Sequence, residues 1–190
     1  MDPVTMVIIA VAAVLVLFLI GTYNKLVGRR NAVMNGFGTM DVLLKKRYDL
    51  IPNLVAAVQG YMQHERAVLE QITALRAQAV SGRLTTEQMF ATNAQLGTLL
   101  GGLRVAIENY PQLKANENVL HLQATLAEIE EQISAGRRAY NATVLNLNNA
   151  LDMFPSSLVG MLFGFQRAAF FEAGAEERNT VPSVNIGAPR

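Results

Sequence analysis

The sequence contains no cysteine and no tryptophan, and only two of its 190 residues are histidine. The absence of cysteine excludes disulfide bonds, thiol nucleophiles and thiolate metal ligands, although it leaves the cellular compartment undecided. Sixteen lysines and arginines against fifteen acidic residues give a formal net charge of +1, so the chain has no overall field that favours nucleic acid. We therefore expect no nucleic-acid partner.

Charged residues are also scarce, at 16% of the chain, whereas apolar residues reach 51%, which is apolar for a soluble domain. The excess lies at the start, where every residue from Val4 to Ile20 except Thr5 is apolar. A helix over residues 3–23 is about 31 Å long, which matches a hydrocarbon core of about 30 Å. We therefore predict a transmembrane anchor over residues 1–23, which places in the bilayer Val4, Ile8, Val11, Leu15, Phe18 and Ile20.

The alternative for this stretch is a cleaved signal peptide, which begins with a basic region and ends at a small-residue cleavage site. Asp2 is acidic and residues 20–23 offer no clear site, so we expect a retained anchor. Lys25, Arg29 and Arg30 follow the stretch directly. The positive-inside rule then places the large C-terminal part in the cytoplasm.

Beyond the anchor, apolar residues recur with helical spacing, and no useful length alternates as a strand does. The first helix is predicted to continue from the anchor towards Tyr48. Pro52 then predicts a firm break, because proline disfavours helical geometry in the preceding residue and suits the first turn of a new helix. A second helix is accordingly expected to begin near Ile51 and to end before Ser81.

Two further helices complete the predicted domain. Thr85 and Gln88 have the spacing of a capping box, which predicts a third helix that ends near Asn109. The fourth has the clearest apolar period and runs from about Val119 to Leu151. The expected fold is all-α, with the N-terminal transmembrane helix continuing into a long antiparallel four-helix bundle over residues 24–172, followed by an extended or disordered tail over residues 173–190.

Candidate catalytic and metal-binding residues are few. His64-Glu65 resembles the start of a zincin helix, but position 68 is valine, so the second histidine ligand is missing. His121 has no cysteine or histidine nearby, and the glutamates among residues 128–131 are better interpreted as a solvated helix face than as paired catalytic carboxylates. We therefore predict no catalytic residue, no metal and no cofactor.

Two clusters remain for binding. The basic run of residues 45–47 is interpreted as an exposed helix end rather than a lipid or nucleic-acid site, since three charges are few. The phenylalanines near the end of the chain are expected to be buried against another surface, because so much aromatic surface is rarely left in water. They either pack back onto the bundle or form an interface with another subunit or the bilayer, and the candidate interface residues are Phe163, Phe165, Phe170 and Phe171.

Several motifs between Tyr23 and Glu172 resemble the LemA family. They include Asp41-Val42-x-Leu44, the run from Arg47 to Val55, Gly60-Tyr61-x-x-His64-Glu65 and Tyr110-Pro111. The signature residues, for which we expect structural roles, are Asp41, Arg47, Tyr48, Asp49, Pro52, Asn53, His64, Glu65, Tyr140, Asn141 and Pro155. In particular, Asp49 is expected to accept backbone hydrogen bonds in a turn before Pro52, with Arg47 and Tyr48 at a helix reversal.

The resemblance implies a bacterial membrane protein with an N-terminal helix, an antiparallel helical bundle and no established enzymatic activity. It also implies relatives whose domain lies outside the cytoplasm, so an extracytoplasmic domain stays open beside the cytoplasmic one. Two functions are expected at the bacterial inner membrane, neither of them catalytic. The first is a scaffold that self-associates on membrane lipid, and the second is an adaptor for another membrane protein, such as a protease.

Overall fold

A computed structural model describes residues 2–172, and α-helices are the only regular elements in this part of the chain. The helices are α1 (Pro3–Val58), α2 (Arg66–Ala79), α3 (Thr86–Ile107), α4 (Pro111–Lys114), α5 (Glu117–Asp152) and α6 (Ser156–Leu162). The prediction of an all-helical chain with one long apolar N-terminal helix is confirmed. The tail predicted over residues 173–190 lies outside the described residues.

Helix α1 does not break at Pro52, and the predicted start of a second helix near Ile51 is wrong. A proline inside a helix lacks the N–H that donates to the carbonyl four residues earlier, which here belongs to Tyr48. The Nε of Arg76 in α2 donates to that carbonyl instead, at 3.0 Å. Because this bond replaces the missing one, α1 accommodates Pro52 and continues to Val58.

The expected helix reversal around Arg47, Tyr48 and Asp49 is therefore also wrong. All three residues lie within α1, where Arg47 and Tyr48 are buried and Asp49 is exposed. Arg47 is thus not part of an exposed basic helix end. The chain leaves α1 only at residues 59–65, around Gly60.

The starts of α3 and α5 follow from local capping. The Thr85 hydroxyl accepts from the Gln88 amide at 3.3 Å, and the Gln88 side-chain oxygen accepts from the Thr85 amide at 3.0 Å, so the predicted capping box is confirmed. At α5, the Asn116 Oδ1 accepts from the backbone amides of Asn118 and Val119 at 3.0 and 3.2 Å. These side chains satisfy amides that a helix start leaves without intrahelical partners.

The chain divides into two compact units. In the first, formed by Met1–Leu43 with Gln132–Phe170, α1 packs against α5 through buried residues that recur every seven positions, an arrangement typical of paired helices. They are Leu26, Val33 and Met40 on α1 and Ile133, Tyr140 and Leu147 on α5. Leu26 also packs with Ala150 and with Val159 of α6.

The second unit consists of Leu44–Glu131 with Phe171 and Glu172. Its α2 and α3 pack against each other. Its buried apolar residues come from five helices and include Ile51, Leu54 and Val58 of α1, Leu69 and Ile72 of α2, Leu96 and Leu103 of α3, Leu113 of α4, and Val119 of α5. The short helix α4 contributes this one side chain, and the longer helices each contribute an apolar stripe to the core.

Candidate membrane-contacting site

The N-terminal part of α1 leaves its apolar side chains uncovered. Within residues 2–172, α1 is the one helix long and apolar enough to cross a membrane, and its most apolar window has a mean hydropathy of 3.0 and no buried residue. The side chains predicted in the bilayer are all exposed, namely Val4, Ile8, Val11, Leu15, Phe18 and Ile20. A core helix would be covered on its apolar face. The exposed stretch therefore indicates a single-pass membrane anchor.

An aromatic cluster lies where this stretch ends. The Tyr23 ring is 4.9 Å from the Phe163 ring and 5.7 Å from the Phe165 ring, measured between centroids. The Arg30 guanidinium lies over the Phe165 ring at 5.4 Å, which is within the range of a cation–π contact. Because Tyr23 follows Ile20 by less than one helical turn, the cluster adjoins the apolar stretch directly.

Helix α6 turns one side to the core and an apolar side outward. Val159 and Gly160 are buried, and Gly160 fits closely because an added Cβ would lie 2.7 Å from Leu151 Cδ2. The opposite side carries Leu158, Met161 and Leu162, which are 57%, 78% and 72% exposed. A short helix at the surface of a soluble protein normally exposes polar residues. The outward face of α6 is instead apolar.

The segment after α6 is fastened to α5 by two side chains. The Asn148 amide group donates from Nδ2 to the Ala168 carbonyl and accepts at Oδ1 from the Ala168 N–H, both at 3.0 Å. The Tyr140 hydroxyl donates to the Ala169 carbonyl at 2.9 Å. This segment is not part of a helix, so these side-chain contacts fix its position.

The four candidate interface phenylalanines lie in different environments. Phe163 and Phe170 are 53% and 43% exposed, and Phe165 is partly buried against Tyr23. Phe171 is 2% exposed and stacks on Phe90 with ring centroids 4.1 Å apart. Phe171 therefore packs within its own unit, whereas Phe163 and Phe170 retain surface for a partner.

The buried Arg47 is the centre of a polar cluster in the second unit. Its Nη1 donates to Asn93 Oδ1 at 3.0 Å, and its Nη2 forms an ion pair with Glu130 Oε2 at 2.7 Å. Burial lowers the pKa of the Arg47 guanidinium, whereas the Glu130 carboxylate acts in the opposite direction. Gly97 leaves room for the guanidinium, since a Cβ there would lie 3.2 Å from Nη2.

The other signature residues are spread over both units. Asp41, Asp49, Pro52, Asn53 and His64 are exposed. Glu65 accepts a hydrogen bond from the Tyr110 hydroxyl at 2.6 Å, and this bond raises the pKa of Tyr110. Tyr140 is buried, Asn141 is partly buried, and Pro155 follows a cis peptide bond at the start of α6.

The arrangement offers no assembled catalytic group in the part of the chain that the structure describes. No set of three or more His, Cys, Asp or Glu side chains among residues 2–172 is placed to hold a metal ion. A cavity of about 130 Å³ beside Arg47 is lined mainly by leucines, alanine, isoleucine and glycines, and its one carboxylate, Glu130, is bound to Arg47. His64 lies in the turn before α2 and His121 lies in α5, and both are exposed.

Sequence reasoning missed three polar residues that organise these contacts: Arg76, Asn93 and Asn148. Asn93 follows the buried Phe90 by three positions, and Asn148 follows the buried Val144 by four. A polar residue on an apolar helical stripe is a signal of a buried hydrogen bond. Arg76 carries no such signal, because its partner is a backbone carbonyl elsewhere in the chain.

Comparison with known proteins matches residues 36–186 to the sequence model of the LemA family. The chain is 23% identical over 167 residues to Protein LemA of Metamycoplasma hominis, which covers 88% of this chain and 76% of that relative. It is 22% identical over 191 residues to Magnetosome protein MamQ of Magnetospirillum gryphiswaldense, an alignment that covers 84% of this chain and 70% of that relative. It is 21% identical over 175 residues to Magnetosome protein MamQ 2 of Paramagnetospirillum magneticum, which covers 79% of this chain and 64% of that relative. Since the family match spans most of the sequence, the chain belongs to the LemA family.

Proposed function

We propose that this protein is a non-catalytic scaffold of the bacterial inner membrane, anchored by one transmembrane helix and self-associating through its helical domain. The observation that carries the proposal is the uncovered apolar stretch of α1, which runs without interruption into the long helix of the domain. We further propose that the domain is an antiparallel four-helix bundle, with the anchor at residues 1–23 and the bundle over residues 24–172. The buried signature residues Arg47, Tyr48 and Tyr140 then serve the packing of that bundle.

Self-association is supported by an exposed stripe on α1. Met34, Gly38 and Val42 are spaced by four residues, so they share one helix face, and all three are exposed. An added Cβ at Gly38 would meet no atom within 4 Å, which leaves room for a second helix to approach. Small residues let the backbones of two helices approach closely.

The absence of native cysteine makes this proposal testable by disulfide cross-linking. Gly38→Cys in native membranes is expected to form a disulfide-linked dimer on mild oxidation, because two copies present this face to each other. Ala32→Cys is the matched control, since it is exposed on the same helix but about 120° away around the axis at about 100° per residue. Monomer alone at Gly38, or equal cross-linking at both positions, would contradict self-association through this stripe.

The proposal places the domain in the cytoplasm. It is supported by Lys25, Arg29 and Arg30, which directly follow the apolar stretch, because the positive-inside rule associates such basic residues with the cytoplasmic side. Ala135 is exposed on α5, so Ala135→Cys is a suitable probe of its side of the membrane. The cells are first treated so that any outer membrane is permeable while the inner membrane stays closed. A membrane-impermeant maleimide is then expected to label the cysteine at position 135 only after the inner membrane is opened. Labelling before that step would place the domain outside the cytoplasm.

A second candidate is an adaptor for another membrane protein. An open groove of about 560 Å³ between α2 and α3 favours it, lined by Gln71, Ala74, Leu75, Gln95, Thr98 and Leu99. Grooves between helices accept an apolar helix face from a partner. Purification of the tagged protein separates the two functions, because an adaptor recovers one stoichiometric partner whereas a scaffold recovers chiefly its own copies.

A further inference from the structure

We infer that the outward face of α6, together with the residues before and after it, lies on the bilayer surface and inserts its apolar side chains among the lipids. This surface consists of Met153, Phe154, Leu158, Met161, Leu162 and Phe163, and it is here called the α6 surface. The inference rests on the proposed membrane anchor and adds a second lipid contact to it. The domain is then held against the membrane rather than tethered by one helix.

The position of the α6 surface relative to the end of the anchor is the first argument. The Phe163 ring contacts the Tyr23 ring, and Leu26, one turn further along α1, packs with Val159. Ile20 is the last residue of the apolar run, and Tyr23 follows it within about 5 Å at about 1.5 Å per residue. Tyrosine is enriched at membrane–water interfaces. The α6 surface therefore starts at the depth where α1 leaves the bilayer.

The burial pattern of α6 is the second argument. Its inner side is already filled by Val159 and Gly160, so the exposed side chains do not belong to an incomplete core. Helix α6 carries no charged residue, and Met161 and Leu162 are more than 70% exposed. Exposed apolar patches of this kind mark a contact with another protein or with a membrane.

Charges at the edge of the surface decide between these two occupants. Arg30 lies over the Phe165 ring, and Lys25 and Arg29 are exposed on the same stretch of α1. Arg167 pairs with Asp152 at 2.9 Å close to the end of α5, so the acidic group there is already neutralised. An apolar face bordered by basic residues is the pattern of interfacial helices on anionic lipids. Lipid acyl chains and anionic headgroups therefore fit the surface.

The α6 surface also differs from the stripe proposed for self-association. Met34, Gly38 and Val42 lie further along α1 than Tyr23 and Leu26, on the side away from the anchor. Lipid contact at α6 leaves that stripe free for a second copy. The two contacts are therefore compatible and separately testable.

The test uses the full-length protein in nanodiscs of phosphatidylcholine and phosphatidylglycerol, with an NBD fluorophore on a single introduced cysteine. Met161→Cys reports the α6 surface, and its side chain is 78% exposed, so the label does not disturb the core. Leu15→Cys reports the anchor, and the exposed Ala135→Cys on α5 is the aqueous control. Quenching by doxyl-labelled phosphatidylcholine reports contact with acyl chains.

The inference predicts blue-shifted emission and loss of intensity with doxyl lipid at Met161 and at Leu15, but not at Ala135. Quenching at Leu15 with water-like emission at Met161 overturns the inference while leaving the anchor intact. Blue-shifted emission at Met161 that doxyl lipid does not quench, and that fades as the protein is diluted with lipid, also overturns it, because a second copy then covers the surface. Water-like emission at Leu15 contradicts the anchor itself and the inference with it.

Discussion

Pro52 cannot donate the helical hydrogen bond to the Tyr48 carbonyl, and Arg76 donates to it instead. A double-mutant cycle of Pro52 and Arg76 tests this replacement. In the native chain the Arg76 Nε donates to the Tyr48 carbonyl, which Pro52 leaves without its intrahelical donor. Arg76→Met keeps most of the aliphatic stem but removes the donor. A hydrogen bond from a charged group contributes about 1.5–3 kcal/mol, so Arg76→Met is expected to lower the free energy of unfolding by that amount.

The second arm of the cycle introduces Pro52→Ala. The alanine N–H can donate to the Tyr48 carbonyl within α1, so Arg76 is no longer needed there. In this background Arg76→Met is expected to cost less than about 1 kcal/mol, which gives a coupling energy of about 1–2 kcal/mol. Arg66→Met is the control, because Arg66 lies on the same helix and forms only an exposed ion pair with Glu70.

The assay is thermal unfolding of the full-length protein in mild detergent, followed by far-ultraviolet circular dichroism. For a chain of this length 1 kcal/mol corresponds to about 2–4 °C, so a loss of about 1.5–3 kcal/mol in Arg76→Met is expected to lower Tm by about 3–12 °C in the native background. The loss in the Pro52→Ala background is expected to be less than half as large. Equal losses in the two backgrounds would refute the reasoning, because the guanidinium would then act elsewhere than on the Tyr48 carbonyl.

Two further predictions concern substitutions in the first unit, at Gly136 and at Asn148, and each has a control. Gly136→Ala is expected to lower stability by about 1–3 kcal/mol through overpacking, because the new Cβ would lie 2.8 Å from a methionine sulfur of α1. Gly102→Ala, with nothing within 4 Å, is expected to raise stability by about 0.5–1 kcal/mol in the same melting assay. Asn148→Ala removes both hydrogen bonds to Ala168 and is expected to speed hydrogen exchange across residues 163–170. The exposed Asn149→Ala is expected to leave that exchange unchanged.

Features set by nearby residues were predictable from the sequence. The apolar stretch from Val4 to Ile20 could be predicted as a membrane anchor from composition alone, because length and hydropathy decide whether a helix fits a bilayer. The cap at Thr85 and Gln88 needs only residues three positions apart. The period from Val119 to Leu151 likewise predicted α5, which extends two residues earlier and one residue later than that run.

Features that depend on distant partners were not predictable. Pro52 has the local signature of a helix break, but Arg76 supplies the bond that keeps α1 continuous. Arg47 follows two exposed lysines and looks like surface charge, yet Asn93 and Glu130 hold it inside the second unit. Local rules give the preference of a segment, and tertiary contacts of a few kcal/mol reverse it.

The most direct test of the account is the mass of the full-length protein extracted in mild detergent, measured by light scattering with the detergent contribution subtracted and accompanied by negative-stain electron microscopy. If the protein is a self-associating scaffold, we expect a uniform particle whose protein mass is at least two times the 20.7 kDa of one chain. A monodisperse monomer of one chain would contradict the scaffold, and partner capture through the groove between α2 and α3 would then be the next experiment.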